Sequence, residues 1–144
     1  GELHALPAGG EVILDCYNAN PQSVRAAVEA FVERHDQGLI VLGDMLELGA
    51  ESVSAHRELG RWLTETLAPG HHLVGIGNEM IEMIDAARAK GRAPDTTMSF
   101  PDLMPNMGSM LAMCAETQAL LLKGSRGMKL ERVWNALVAE ESAQ

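Results

Sequence analysis

The run GLIVLGD, residues 38–44, limits the fold more than any other stretch. It is short and continuously apolar, without the alternation of a strand that has one wet face. A strand of that kind is buried on both sides, which is the usual state inside a parallel sheet. Its neighbours fit that setting. EVILDCY (11–17) reads as a strand, and PQSVRAAVEAFVERH (21–35) reads as a helix with Val24, Ala27, Val28, Phe31 and Val32 on one face. Asn20 suits the cap of that helix and Pro21 its first position. A loop after residue 44 leads to a helix over about residues 54–68. HLVGIG (72–77) is the next strand, with a helix to about Lys90 behind it, and TTMSF (96–100) is a weak strand. DLMPNMGSMLAMCAE (102–116) is mostly helical, interrupted by Pro105 and Gly108. QALLLKG (118–124) is the clearest late strand, and MKLERVWNALVAE (128–140) is the final helix.

Strands alternating with helices predict an α/β, Rossmann-like, three-layer domain: a mostly parallel sheet of about six strands with helices on both faces. Residues 1–6 add an antiparallel edge strand that returns through a turn at 7–10. The whole chain, residues 1–144, is expected to be one domain. Only 3% of the residues are aromatic, so the core is built from Leu, Val, Ile, Ala and Met. Eleven basic residues against twenty acidic ones give a formal charge of −9, which offers no basic stripe to nucleic acid or an anionic membrane. Cys16 and Cys114 form neither a CxxC nor a zinc spacing, and no apolar run is long enough to span a membrane, so a reduced, cytoplasmic protein is expected. A chain that starts at Gly1 rather than Met is expected to be a processed product or a fragment.

In an open α/β sheet, ligands bind beyond the carboxyl ends of the strands. Most of the unusual polar residues fall there. In DCYNANPQS (15–23), Asp15 suits a ribose hydroxyl and Asn18 a base or phosphate. Local turn bonding explains both equally well, and for Asn20 capping is the better account. In GDMLELG (43–49), Asp44 is placed to orient an amine or to serve a metal-bound phosphate, or else to bond its own loop. In KGSRGMKLE (123–131), Gly124, Ser125 and Gly127 allow an outward-facing nest of amides, and Lys123 and Arg126 add positive charge. The alternative there is a glycine-rich turn with two solvated cations. No Walker A pattern occurs. GIGNE (75–79) lacks the third glycine of a dinucleotide fingerprint. His71 and His72 are adjacent and cannot share a strand face. His56, beside Arg57 and Glu58, is expected at the surface or in a cap. Met104, Met107, Met110 and Met113 fit core packing or a subunit contact. Glu140 and Glu141 are expected to be a solvated tail.

Taken together, DCYNANPQS, VLGDMLELG with HRELG after it, and LLKGSRGMKLERV resemble the C-terminal domain of the Mur ligases. The particular likeness is to the MurF branch, which joins D-alanyl-D-alanine to UDP-N-acetylmuramoyl-tripeptide in peptidoglycan (cell-wall) synthesis. The resemblance implies an ATP-dependent ligase of three domains working through an acyl phosphate. The N-terminal domain holds the UDP-sugar. The central one carries the P-loop and the Mg2+ sites, and the third closes over ATP and brings in the acceptor. It implies nucleotide contacts at Asp15, Tyr17 and Asn18, catalytic roles for Asp44 and Lys123, and dipeptide contacts at Ser125 and Arg126. Cys16 departs from the Ser or Thr usual in the family, and the segment 98–114 matches no motif of it. Without P-loop and central domain, the chain alone is expected to be inactive. Two rivals stand beside this reading: a ligase of the same superfamily with another acceptor, and a stand-alone nucleotide-binding module without catalysis.

Overall fold

The computed structural model describes residues 1–143, so the expected boundary at Gln144 lies outside the described residues. The chain runs β1 (Glu2–Ala5), β2 (Glu11–Asp15), α1 (Pro21–Arg34), β3 (Gly38–Gly43), α2 (Ser52–Thr66) and β4 (His71–Ile76). It continues α3 (Met80–Ala89), β5 (Thr97–Phe100), α4 (Met107–Ala115), β6 (Ala119–Lys123) and α5 (Glu131–Ser142). The strands form one sheet in the order β1-β2-β6-β3-β4-β5. Every pairing is parallel except that of β1, which runs antiparallel along β2 with Glu2 opposite Leu14. The expected six strands and the antiparallel edge are both present.

The side-chain period of a strand sorts the apolar run of β3 onto two faces. Ile40 and Leu42 pack with α1, α2 and α3, against Val24, Val28, Phe31, Leu59, Leu63, Met83 and Ile84. Leu39 and Val41 face the other way, toward Met110 and Cys114 of α4 and Val133 and Leu137 of α5. The unbroken apolarity of β3 is therefore the consequence of two separate cores. Of the methionine series, Met110 is in the second core while Met104 is exposed, so only part of that stripe packs inward.

Several boundaries move. The strand expected over 11–17 stops at Asp15, and the one expected over 118–124 stops at Lys123. The final helix starts at Glu131 rather than at 128, because a short 3-10 turn over Arg126–Met128 and a left-handed Lys129 (φ 53) come first. Glu140 and Glu141 belong to the last turn of α5 rather than to a tail. Among the described residues, no helix is long and apolar enough to cross a membrane.

Helices α2 and α3 approach closely at Gly60. A Cβ built on the buried Gly60 would overlap the Met83 carbonyl oxygen. Gly60→Ala should therefore push the two helices apart and lower the unfolding free energy by about 1–3 kcal/mol. Urea denaturation reads this directly. An unchanged midpoint would mean that α2 slides without cost.

Candidate functional site

The strand order does what the sequence alone does not display: it inserts β6 between β2 and β3. Asp15 at the end of β2 pairs in register with Lys123, and Lys123 in turn pairs with Leu42 of β3. The three polar loops, 16–20, 44–49 and 124–128, thereby become neighbours at one carboxyl edge. This edge is the expected ligand position in an open α/β sheet.

Lys123 ties the end of β6 to the end of β2 and to the first of these loops. It is only 2% exposed, which requires that its ammonium find partners inside the protein. Nζ donates to the Asn18 carbonyl at 2.6 Å and forms an ion pair with Asp15 Oδ2 at 2.9 Å. Lys123, for which the resemblance implies a catalytic role, lies beneath the edge and bonds to Asp15 and Asn18. Ser125, also buried, accepts the Leu46 N–H on its Oγ at 3.2 Å and approaches the Ala19 carbonyl at 3.5 Å. It ties the third loop to the other two. The Gly124 amide donates to the Asp15 carbonyl, so the outward amide nest expected from KGSRG lacks that member.

Asp44 is 6% exposed, and its Oδ1 accepts the Met80 N–H at 2.8 Å at the start of α3. Burial pushes its carboxyl above the ordinary value; the Met80 and Glu79 amides pull it back, and the charge of Glu79 pushes it up again. Gly77 makes room for it. Its φ of 118 suits glycine, and any Cβ would overlap the Asp44 carboxyl. Gly75 likewise packs against Met80 and Ile84, so both glycines of GIGNE serve the close approach of β4 to its surroundings.

His56 corrects an expectation. It is fully buried, not at the surface. Nδ1 donates to the Ser52 carbonyl at 2.7 Å, which leaves Nε2 to accept the Met45 N–H at 3.1 Å. A neutral imidazole thus holds the GDMLELG loop from within α2. The spacing of His56 with Leu59, Gly60 and Leu63, the buried face of that helix, is the signal that identifies it. His71 is also buried, accepting the Ala68 N–H and donating to the His35 carbonyl, while His72 points outward. Asn20 is used as a cap: its Oδ1 accepts the Ser23 N–H, and Ser23 Oγ accepts the Asn20 N–H.

Three candidate side chains stay exposed at this edge: Tyr17, Asn18 and Arg126. The Arg126 guanidinium lies 5.1 Å from the Tyr17 ring centroid. No ion pair among the described residues includes it, although the chain is strongly acidic. The loops also carry strain. Glu47 (φ 66) and Lys129 (φ 53) are the non-glycine residues with left-handed backbones among those described. Such residues concentrate where a backbone is held for a purpose beyond stability.

Two tests follow from this geometry. Asp15→Ala leaves the buried Lys123 cation without its counter-charge and should cost about 2–4 kcal/mol. Adding Lys123→Met should restore part of that loss in urea titrations; additive losses would show that the pair is not what holds the edge. The second test concerns pH. The folded protein binds a proton at Asp44 more tightly than the unfolded chain does, so the stability contributed by this group is present below about pH 4. It is lost as pH rises through the raised folded value. Relative to Asp44→Asn, the parent should therefore weaken from pH 3 to pH 7. A constant difference would mean that burial does not strain this carboxylate.

Comparison with known proteins agrees with the arrangement of the motifs. Residues 2–126 match the family "Mur ligase, glutamate ligase domain". The chain is 33% identical to the UDP-N-acetylmuramoyl-tripeptide–D-alanyl-D-alanine ligase of Haemophilus influenzae, over 92% of this chain and 29% of that protein. The crystal structure of MurF from Acinetobacter baumannii superposes with a TM-score of 0.79 at 27% identity, over 96% of this chain and 30% of the other. MurF from Thermotoga maritima, in complex with ADP, superposes at 0.74 and 21% identity, over 99% of this chain and 31% of the other, a likeness of fold. The chain spans about 30% of the length of the curated relatives it matches. A family match across nearly all of the chain, three motif loops gathered on one sheet edge and the shared fold lead to one assignment: this chain belongs to the Mur ligase family, as its glutamate ligase domain.

Proposed function

We propose that residues 1–144 form the C-terminal domain of a three-domain, cytoplasmic MurF-type ligase, which closes over ATP and delivers D-alanyl-D-alanine to UDP-N-acetylmuramoyl-tripeptide. The observation that carries this reading is the chemistry of the edge: one loop presents a guanidinium that pairs with no carboxylate among the described residues, and the loop bonded to it holds a buried carboxylate of raised basicity. The acceptor has matching ends. Its amine must lose a proton as it attacks the acyl phosphate, and its carboxylate needs a counter-charge. Asp44 is suited to orienting the amine and Arg126 to pairing with the carboxylate through two parallel bonds. Ser125 fixes the loop from which Arg126 projects.

On the nucleotide side, Asp15 keeps Oδ1 for a ribose hydroxyl while Oδ2 pairs with Lys123, and Asn18, whose carbonyl accepts from the same ammonium, presents an exposed side chain. Tyr17 stands between the nucleotide and acceptor sides. The ADP held by the Thermotoga maritima relative supports an adenine nucleotide. Mg2+ does not fit this chain. No three potential ligands converge among the described residues. The ion belongs to the central domain of the same enzyme.

The test is kinetic, on the complete ligase. Arg126→Ala should raise the KM for D-alanyl-D-alanine about tenfold to a hundredfold, equivalent to about 1.4–2.8 kcal/mol, with the constants for ATP and UDP-tripeptide moving far less. D-Alanyl-D-alaninamide, which lacks the carboxylate, should lose little more in the variant. Equal discrimination between dipeptide and amide by parent and variant would remove Arg126 from the acceptor site. A complete enzyme that releases phosphate with another amino acid but not with D-alanyl-D-alanine would replace MurF by a sister ligase.

A further inference from the structure

We propose that Tyr17 is a positioning residue: its ring is the shelf on which the Arg126 guanidinium is held in the orientation that meets the acceptor carboxylate. This rests on the reading of Arg126 given above.

Tyr17 is the only tyrosine of the chain and is 71% exposed. A ring so open gains little from burial, so core packing does not account for where it sits. Its contact is Arg126. The guanidinium carbon lies 5.1 Å from the ring centroid, and Nη1 reaches Tyr17 Oη at 3.5 Å. Both residues stand next to fixed points. Tyr17 precedes Asn18, whose carbonyl is held by Lys123, and Arg126 follows Ser125, whose Oγ accepts the Leu46 N–H. Shelf and guanidinium thus project from two loops already bonded to the same framework, and their contact spans the gap between those loops.

The geometry suits a carboxylate. Nη1 is the guanidinium atom that reaches Tyr17 Oη, whereas a carboxylate binds a guanidinium edge, in plane, through two N–H groups. The Nε–Nη2 edge is left for that pairing. An arginine on an exposed turn samples many rotamers, and each one frozen on binding reduces affinity. A ring that restricts them before the acceptor arrives lowers that cost. The effect belongs to binding of the carboxylate and to nothing else in the reaction.

Kinetics of the complete ligase test this with Tyr17→Ala, Tyr17→Phe, Arg126→Ala and the double variant Tyr17→Ala/Arg126→Ala, the unfolding midpoint of each being measured alongside. Tyr17→Ala should raise the KM for D-alanyl-D-alanine about two- to fivefold at unchanged kcat, the range of an exposed cation–π contact. Tyr17→Phe keeps the ring and should recover most of that affinity. The double variant should be no worse than Arg126→Ala, and the KM for D-alanyl-D-alaninamide should not respond to Tyr17→Ala. A rise in the KM for ATP with no change for the dipeptide would make Tyr17 a nucleotide contact and overturn the proposal. If Arg126→Ala raises the dipeptide KM and Tyr17→Ala does not, the shelf alone is wrong. If Arg126→Ala itself has no effect, the acceptor role of Arg126 fails and the shelf falls with it.

Discussion

An ammonium group buried at the end of a central strand is the constraint on which this edge depends. Lys123 cannot stay at 2% exposure without partners, and it has two: the carboxylate of Asp15 on the adjacent strand and the carbonyl of Asn18. Leaving either unmade would strand a charge or a polar group away from water. The pair therefore fixes where β2 ends relative to β6. It also decides how the loop after β2 turns over the sheet. Ser125 then extends the same bonding to the loop after β3, and His56 secures that loop from the helix behind it.

The polar residues of the motifs divide into two tiers. Asp44, Lys123, Ser125, Asn20 and His56 are bonded inward and set the backbone. Tyr17, Asn18 and Arg126 project from that backbone into solvent. Precision in the outer tier comes from the bonding of the inner one, which is how a site on loops acquires the rigidity of a site on strands. The left-handed backbones of Glu47 and Lys129 fit the same picture, since each costs about 1–2 kcal/mol relative to an ordinary conformation and must be held by its surroundings.

Much of the architecture was legible because it is written locally. The unbroken apolarity of β3, the Asn20–Pro21 helix start and the glycine turn after the first strand each announce themselves within a few residues. The identity of the functional edge was legible too, since strand ends follow from strand runs. What local patterns omit is adjacency. Nothing near Lys123 says that its partners lie more than a hundred residues earlier, because only the insertion of β6 between β2 and β3 brings them together. His56 is masked locally by its charged sequence neighbours, Arg57 and Glu58, and only its helical neighbours Leu59 and Leu63 place it on the buried face. Lys129 hid the true start of α5, since a left-handed lysine carries none of the sequence signal of a glycine.

The position of β6 has a consequence for the order of events in folding. Strands β2 and β3 are made early, yet in the finished sheet each is bonded to a strand made last. Until β6 arrives, the gap between them has to stay open or be filled wrongly by direct pairing. Closing it requires contacts of very long sequence separation, the kind that form slowly and leave edges exposed in the meantime. The loops after β2 and β3 accordingly emerge before Lys123 and Ser125, the residues of and after β6 that tie them together. Assembly of the site and completion of the sheet then become one step, so a molecule interrupted before β6 presents no partly competent edge.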